Sequence, residues 1–102
     1  GSRMTTVRLS FKVTDSTGKC IPNENVSVAI YEPVLNQKLT LDLKTNDKGE
    51  ATHIYNINEE GILTVSAGVQ AYPDDKTETD RKLIIKNGDC KHIQIFYEKK
   101  KE

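Results

Sequence analysis

The sequence predicts an all-β fold, a seven-stranded antiparallel β-sandwich. Three observations carry that prediction. Apolar and polar residues alternate with a period of two along most of the 102 residues, the mark of strands with one buried face. Turn-forming clusters of Asp, Asn, Gly, Ser and Pro interrupt the alternation about every ten residues. Nowhere do apolar residues recur at helical spacing for three turns.

The first strand is expected over residues 5–14, where Val7, Leu9, Phe11 and Val13 alternate with Arg8, Ser10 and Lys12. Asp15-Ser16-Thr17-Gly18 then turns the chain. Val26, Val28 and Ile30 mark a second strand over 24–31, ended by Glu32-Pro33. Leu39, Leu41 and Leu43 mark a third over 38–45, with Thr40, Asp42 and Lys44 between and after them. Asp47-Lys48-Gly49 fits a tight turn into a fourth strand over 50–57, carrying Ala51, His53, Tyr55 and Ile57. Asn58-Glu59-Glu60-Gly61 precedes a fifth over 61–71, with Leu63, Val65, Ala67 and Val69. A polar loop follows from Tyr72-Pro73 to Asp80. Leu83 and Ile85 mark a sixth strand over 81–86, and Ile93, Ile95 and Tyr97 a seventh over 89–97. Asn87-Gly88 between those two reads as a hairpin turn, because both positions tolerate the positive φ of a type I′ turn. The expected core is Leu9, Phe11, Val13, Val28, Ile30, Leu41, Tyr55, Leu63, Val65, Ile85, Ile93 and Ile95. A one-residue slip would turn every one of these outward, so the alternation sets the register.

The length is that of one ordinary domain. Residues 5–98 are expected to form it, residues 1–4 (Gly-Ser-Arg-Met) read as a cloning remnant, and residues 99–102 as a charged tail. Fifteen basic and fifteen acidic residues cancel. A neutral domain lacks the electrostatic footprint of a phosphate binder, so nucleic acid is not an expected partner. No apolar run approaches the roughly 20 residues of a membrane helix, so membrane insertion is not expected either.

The stretch Lys44–Asn56, KTNDKGEATHIYN, crowds Asn46, Asp47, Gly49 and Glu50 together as a calcium loop would. An EF-hand needs ligands at alternate positions, a glycine at the sixth and a glutamate at the twelfth, between two helices. Here Gly49 comes three residues after Asn46 and the flanks are strands, so the stretch is expected to be a structural turn. The chain has two cysteines, Cys20 and Cys90, and two histidines, His53 and His92. Tetrahedral zinc would need all four to converge from separate segments without a local pair. Cys90 and His92 have the residue types of a thiol nucleophile and its base, but no third group is evident to orient the imidazole. No catalytic residue, metal or cofactor is expected. With seven strands in up-and-down order, Cys20 falls in the first loop and Cys90 after the sixth strand. That puts them at opposite ends, too far apart for a disulfide.

Two surface features remain. Asn25-Val26-Ser27 is an N-x-S acceptor sequence, making Asn25 a candidate glycosylation site in an extracellular setting. Asp74, Asp75, Lys76, Glu78 and Asp80 form a charged loop. Such a loop is expected to be mobile and solvated, with contact to a protein partner as the functional alternative.

Two stretches also carry a family likeness. VTDSTGKCIPNENVSVAIYEP (residues 13–33) runs strand, D-x-x-G turn, Ile-Pro, then a Val-rich strand. KTNDKGEATHIYNINEEGILTVSAGVQA (residues 44–71) runs from a T-N-D-x-G turn through two strands. Together they resemble the macroglobulin domains of the alpha-2-macroglobulin and complement thioester proteins, most of all the fourth, over about residues 7–97. The resemblance implies an immunoglobulin/fibronectin-III-like sandwich and a secreted, non-catalytic module of a larger thioester-type protein. It would act in protease inhibition or innate immunity by packing against neighbouring domains and contacting protein partners. The same turn occurs in Ig-like repeats of bacterial surface adhesins, the alternative reading, and in transthyretin-like modules. The transthyretin-like hydrolases end in Tyr-Arg-Gly-Ser, whereas this chain reads Tyr97-Glu98-Lys99-Lys100.

Overall fold

The first strand, β1 (Thr5–Thr14), lies at the centre of one sheet and templates both of its neighbours. The computed structural model describes residues 5–33, 36–57, 61–69 and 77–97, with residues 77–80 described through their backbone. The other strands are β2 (Asn25–Glu32), β3 (Gln37–Lys44), β4 (Glu50–Ile57), β5 (Gly61–Val69), β6 (Thr77–Ile85) and β7 (Cys90–Phe96). They form a three-stranded sheet in the order β4-β1-β7 and a four-stranded sheet in the order β3-β2-β5-β6. The described residues contain no helix.

The alternation in sequence becomes the inner faces of these sheets. Val7, Leu9, Phe11 and Val13 of β1 are fully buried, as are Val26 and Ile30 of β2 and Leu63 and Val65 of β5. Full burial of such side chains stabilises the fold by about 1.5–3 kcal/mol each. Every expected core residue is buried except Leu41, which packs half-buried against the cluster. Its strand, β3, is a sheet edge, and one flank stays open to solvent.

Three expectations are corrected. The sandwich is not wholly antiparallel: β7 runs parallel to β1, from Arg8 opposite Cys90 to Thr14 opposite Phe96. β7 is the seventh strand in a chain that reverses at every connection, so it shares the direction of β1 once the two are adjacent. Asn87-Gly88 is a turn but not a hairpin, because β6 pairs with β5 and β7 with β1. Only Gly88 has positive φ there, so the turn is not type I′. Asn87 Oδ1 accepts the Thr6 N–H (2.9 Å) and Gly88 N–H donates to Thr6 O (2.8 Å), anchoring the turn to β1 as the chain changes sheets. Finally, β6 begins at Thr77, not at 81. The nine residues of β5 supply backbone partners from Gly61–Ile85 through to Val69–Thr77, and that ladder extends the strand through a segment with no apolar alternation.

The partition also differs from the immunoglobulin constant arrangement, in which the first, second, fourth and fifth strands share a sheet. Here the first and second lie in different sheets. Only β2–β3 and β5–β6 join neighbours in one sheet, and every other connection crosses the core.

The two sheets are joined at the pole where β1 ends. Val13 N–H donates to Gly49 O (2.8 Å), and Val13 O accepts the Ile21 N–H (2.9 Å). Gly49 has φ +73, and a Cβ built there would lie 2.7 Å from Val13 O and 3.1 Å from Ile21 N. Thr45, buried just before this turn, accepts the Glu24 N–H and donates to Ile21 O, both at 2.9 Å. Its hydroxyl therefore satisfies two loop backbone groups that would otherwise be buried without partners.

Gly49→Ala should lower stability by about 2–4 kcal/mol, because left-handed strain adds to a backbone clash. Gly88 also has positive φ (+87), but nothing lies within 4 Å of a Cβ there. Gly88→Ala should therefore cost only about 1 kcal/mol. Thermal unfolding by circular dichroism separates the two, and equal losses would refute the close-approach argument.

Candidate functional site

The loops β1–β2 and β3–β4 share the pole at which β1 ends, and each is organised by one side-chain oxygen. Asn46 Oδ1 accepts the N–H groups of Lys48 (2.8 Å) and Glu50 (3.1 Å), while Gly49 N–H donates to Asn46 O (3.0 Å). An oxygen facing two N–H donors sits in an electropositive setting, the reverse of what a cation needs. The stretch is a self-capped turn of the kind Asn favours. Asp15 does the same in the other loop. Its Oδ1 accepts the Thr17 hydroxyl (2.6 Å), the Thr17 N–H (2.9 Å) and the Lys19 N–H (3.0 Å). The Thr17 hydroxyl is the largest cause holding the Asp15 carboxyl below its usual 3.8. The Lys19 and Thr17 N–H groups and the Lys19 charge assist, and desolvation works against them.

The histidines and cysteines are spread over three places. His53 has the inward parity of Ala51 and Tyr55 in β4, and its ring lies 6.5 Å from that of Tyr55. Burial raises the Tyr55 hydroxyl above its ordinary value, and the Glu32 carboxylate adds to that. His92 faces out of the same sheet, so it cannot share an ion with His53. Cys20 bridges to Thr14 at one pole, and Cys90 lies opposite Arg8 toward the other. Six residues of β1 separate those positions, roughly 20 Å, against the 4.4–6.8 Å a disulfide allows. Both cysteines are free thiols. Among the described residues, no three His, Cys, Asp or Glu side chains are grouped to hold a metal ion.

Cys90 and His92 do meet: Sγ lies 3.7 Å from Nε2 on the exposed face of β7. Ser10 is opposite His92 on β1. A shallow depression of about 150 Å³ beside them is lined by Ser10, Lys12, Glu50, His92, Ile93 and Gln94. It is well below the roughly 300 Å³ at which small-molecule sites begin. Gln94 Nε2 is committed to Thr14 Oγ1 (2.9 Å). Among the described residues, the arrangement is a thiol beside an imidazole on an open sheet face, next to this shallow depression only.

Asn25 is the first residue of β2 and is exposed. Two residues on, the Ser27 hydroxyl donates to Asp42 Oδ1 (3.1 Å) across the β2–β3 ladder. Of the charged-loop residues, Asp74, Asp75 and Lys76 lie outside the described residues. Glu78 and Asp80 belong to β6, opposite Gly68 and Ser66, and so are strand rather than loop residues.

What sequence reasoning missed is on the sheet surfaces. Ile54, Ile62, Ile84 and Phe96 are exposed at positions the alternation assigns to polar residues. Ile62 and Ile84 face each other across β5–β6, with Ile84 70% exposed. The signal was present as apolar triplets, Leu83-Ile84-Ile85 and Ile95-Phe96-Tyr97, that break the period of two. No protein-family model matches the chain, and no curated protein matches it.

Adding calcium should leave the melting temperature unchanged. A site filled to a hundred times its Kd would add about 2.7 kcal/mol and shift a domain of this size by many degrees. A clear rise would restore the metal-loop interpretation. For Asp15, a folded-state pKa below the unfolded value means the carboxylate contributes stability above about pH 3.8, and that contribution disappears as pH falls through the lowered folded value. Asp15→Asn keeps an acceptor oxygen and should remove this part of the acid sensitivity. A carboxyl NMR titration placing Asp15 at or above 3.8 would contradict the assigned bonding.

Proposed function

We propose that this domain is a non-catalytic structural and interaction module of a larger extracellular protein of the macroglobulin/complement thioester type. The reading rests on the parallel pairing of β1 and β7. Because these strands run side by side in one direction, the chain enters the sandwich at one pole and leaves at the other. Flanking domains would then attach at opposite ends, which suits a module held in line or in a ring by its neighbours. The exposed isoleucines Ile62 and Ile84 lie at the entry pole, where a preceding domain would pack. An accessible Asn25 is compatible with secretion and glycan attachment. The macroglobulin likeness supplies the class of parent protein, through the residues of the two turns and their strands. The proposal keeps the sandwich and its turns and does not require the immunoglobulin strand order.

The test uses the domain joined to the segments that flank it in its natural chain. Small-angle scattering should show the maximum dimension growing by about one domain length for each neighbour added, and side-by-side packing at a single pole would overturn the in-line role. Treating the complete parent with methylamine should incorporate the amine and release one thiol by aminolysis of a thioester. Absence of incorporation would remove the thioester assignment, and tandem copies of this domain in the parent would favour the adhesin alternative.

A further inference from the structure

We propose that β3 is a self-association edge, pairing antiparallel with β3 of a second copy of this chain about Thr40. This goes beyond the module reading and is independent of it.

β3 is one of the two outer strands of the four-stranded sheet. It pairs with β2 along all eight residues, so it is regular over its full length. It contains no proline, and none of its residues is buried; Leu39 is 39% exposed although it points toward the inner side. Such an edge presents a row of backbone donors and acceptors to any strand that can lie beside it.

The charges decide what fits. Lys38, Thr40 and Asp42 occupy the outer face, and Leu39 and Leu41 the inner one. In an antiparallel pair centred on Thr40, Lys38 lies opposite Asp42 of the other copy, and the two-fold symmetry makes that pair twice. Leu39 then meets Leu41, also twice, and Thr40 meets Thr40. Opposite charges and threonine pairs directly across a ladder are favourable, and like charges are not. Sliding by two residues in one direction sets Lys38 against Lys44. Sliding in the other sets Lys38 against Thr40 and loses both ion pairs. A one-residue slip sets Lys38 or Asp42 against leucine. One register therefore pairs Lys38 with Asp42, Leu39 with Leu41 and Thr40 with itself, leaving only Gln37 opposite Leu43 at its ends.

The edges of the three-stranded sheet lack this property: β7 has no acidic residue, and β4 has Glu50 but no lysine or arginine to answer it. Lysines on edge strands ordinarily discourage pairing. Here the four-residue spacing of Lys38 and Asp42 cancels that repulsion for a copy of the same strand. One strand edge gives a small interface, so the association belongs to the weak, concentration-dependent class.

The test starts from the Cys20→Ser/Cys90→Ser chain, which removes the native thiols. In that background Thr40→Cys should form a disulfide dimer under mild oxidation, because directly opposed Cα atoms lie about 4.5–5.5 Å apart. Asp42→Cys should not, since it sits about 13 Å along the ladder from its own copy. In sedimentation equilibrium of the unaltered chain, Kd should rise about tenfold or more in Lys38→Asp and return in Lys38→Asp/Asp42→Lys. Circular dichroism confirms that the variants fold. A chain that stays monomeric to about 1 mM overturns the proposal. So does a dimer that ignores the charge swap, or equal cross-linking at positions 40 and 42.

Discussion

The fold depends on a close approach of three backbone segments at one pole. The end of β1, the loop that follows it and the turn between β3 and β4 meet around Gly49, where a Cβ would collide with Val13 O. Val13 bonds outward in both senses there, to Gly49 O through its N–H and to Ile21 N–H through its carbonyl. The β3–β4 connection carries the chain from one sheet to the other, and it does so through this junction. Thr45 makes the junction tolerable in the interior, since its hydroxyl donates and accepts within the same knot.

The opposite pole works by the same logic with weaker means. The Asn87-Gly88 turn is tied to Thr6 through a side-chain oxygen and a backbone N–H, and it passes the chain from β6 to β7. Arg8 N–H then donates to Asp89 O (2.9 Å), starting the parallel register. Asparagine or aspartate side chains organise the turns at both poles, and glycines permit the left-handed steps. Because those oxygens already receive N–H donors, what resembles a ligand site in sequence is structural in place. Among the described residues, the faces present an exposed thiol–imidazole pair, the opposed isoleucines Ile62 and Ile84, and an open strand edge.

How much of this was legible follows from which interactions are local. The period of two placed nearly every core residue, because a strand's alternation is written in consecutive side chains. Val7 through Val13 show it without ambiguity. Turn positions were equally readable, since Asp15, Asn46 and Gly88 act within a few residues of themselves. β6 was misjudged at Thr77 because its pairing with β5, rather than any apolar pattern of its own, keeps it extended. The Cys90–His92 approach was only half visible: two-residue spacing sets the shared face but not the 3.7 Å separation.

Strand number, inward face, turn sites and the absence of a calcium-loop pattern were therefore determined by the sequence alone. Strand adjacency was decided by the tertiary structure. Asn87-Gly88 specifies a reversal, yet nothing local says whether the reversed strand pairs in the same sheet or crosses the core. That choice depends on which neighbour offers a free edge and a matching apolar face, and β1 offers both to β7. The same global competition makes β7 parallel to β1, leaves β3 at an edge and exposes Leu39. Adjacency is a property of all seven strands at once, because backbone hydrogen bonds are alike along every strand and only the joint packing of the inner faces discriminates among pairings.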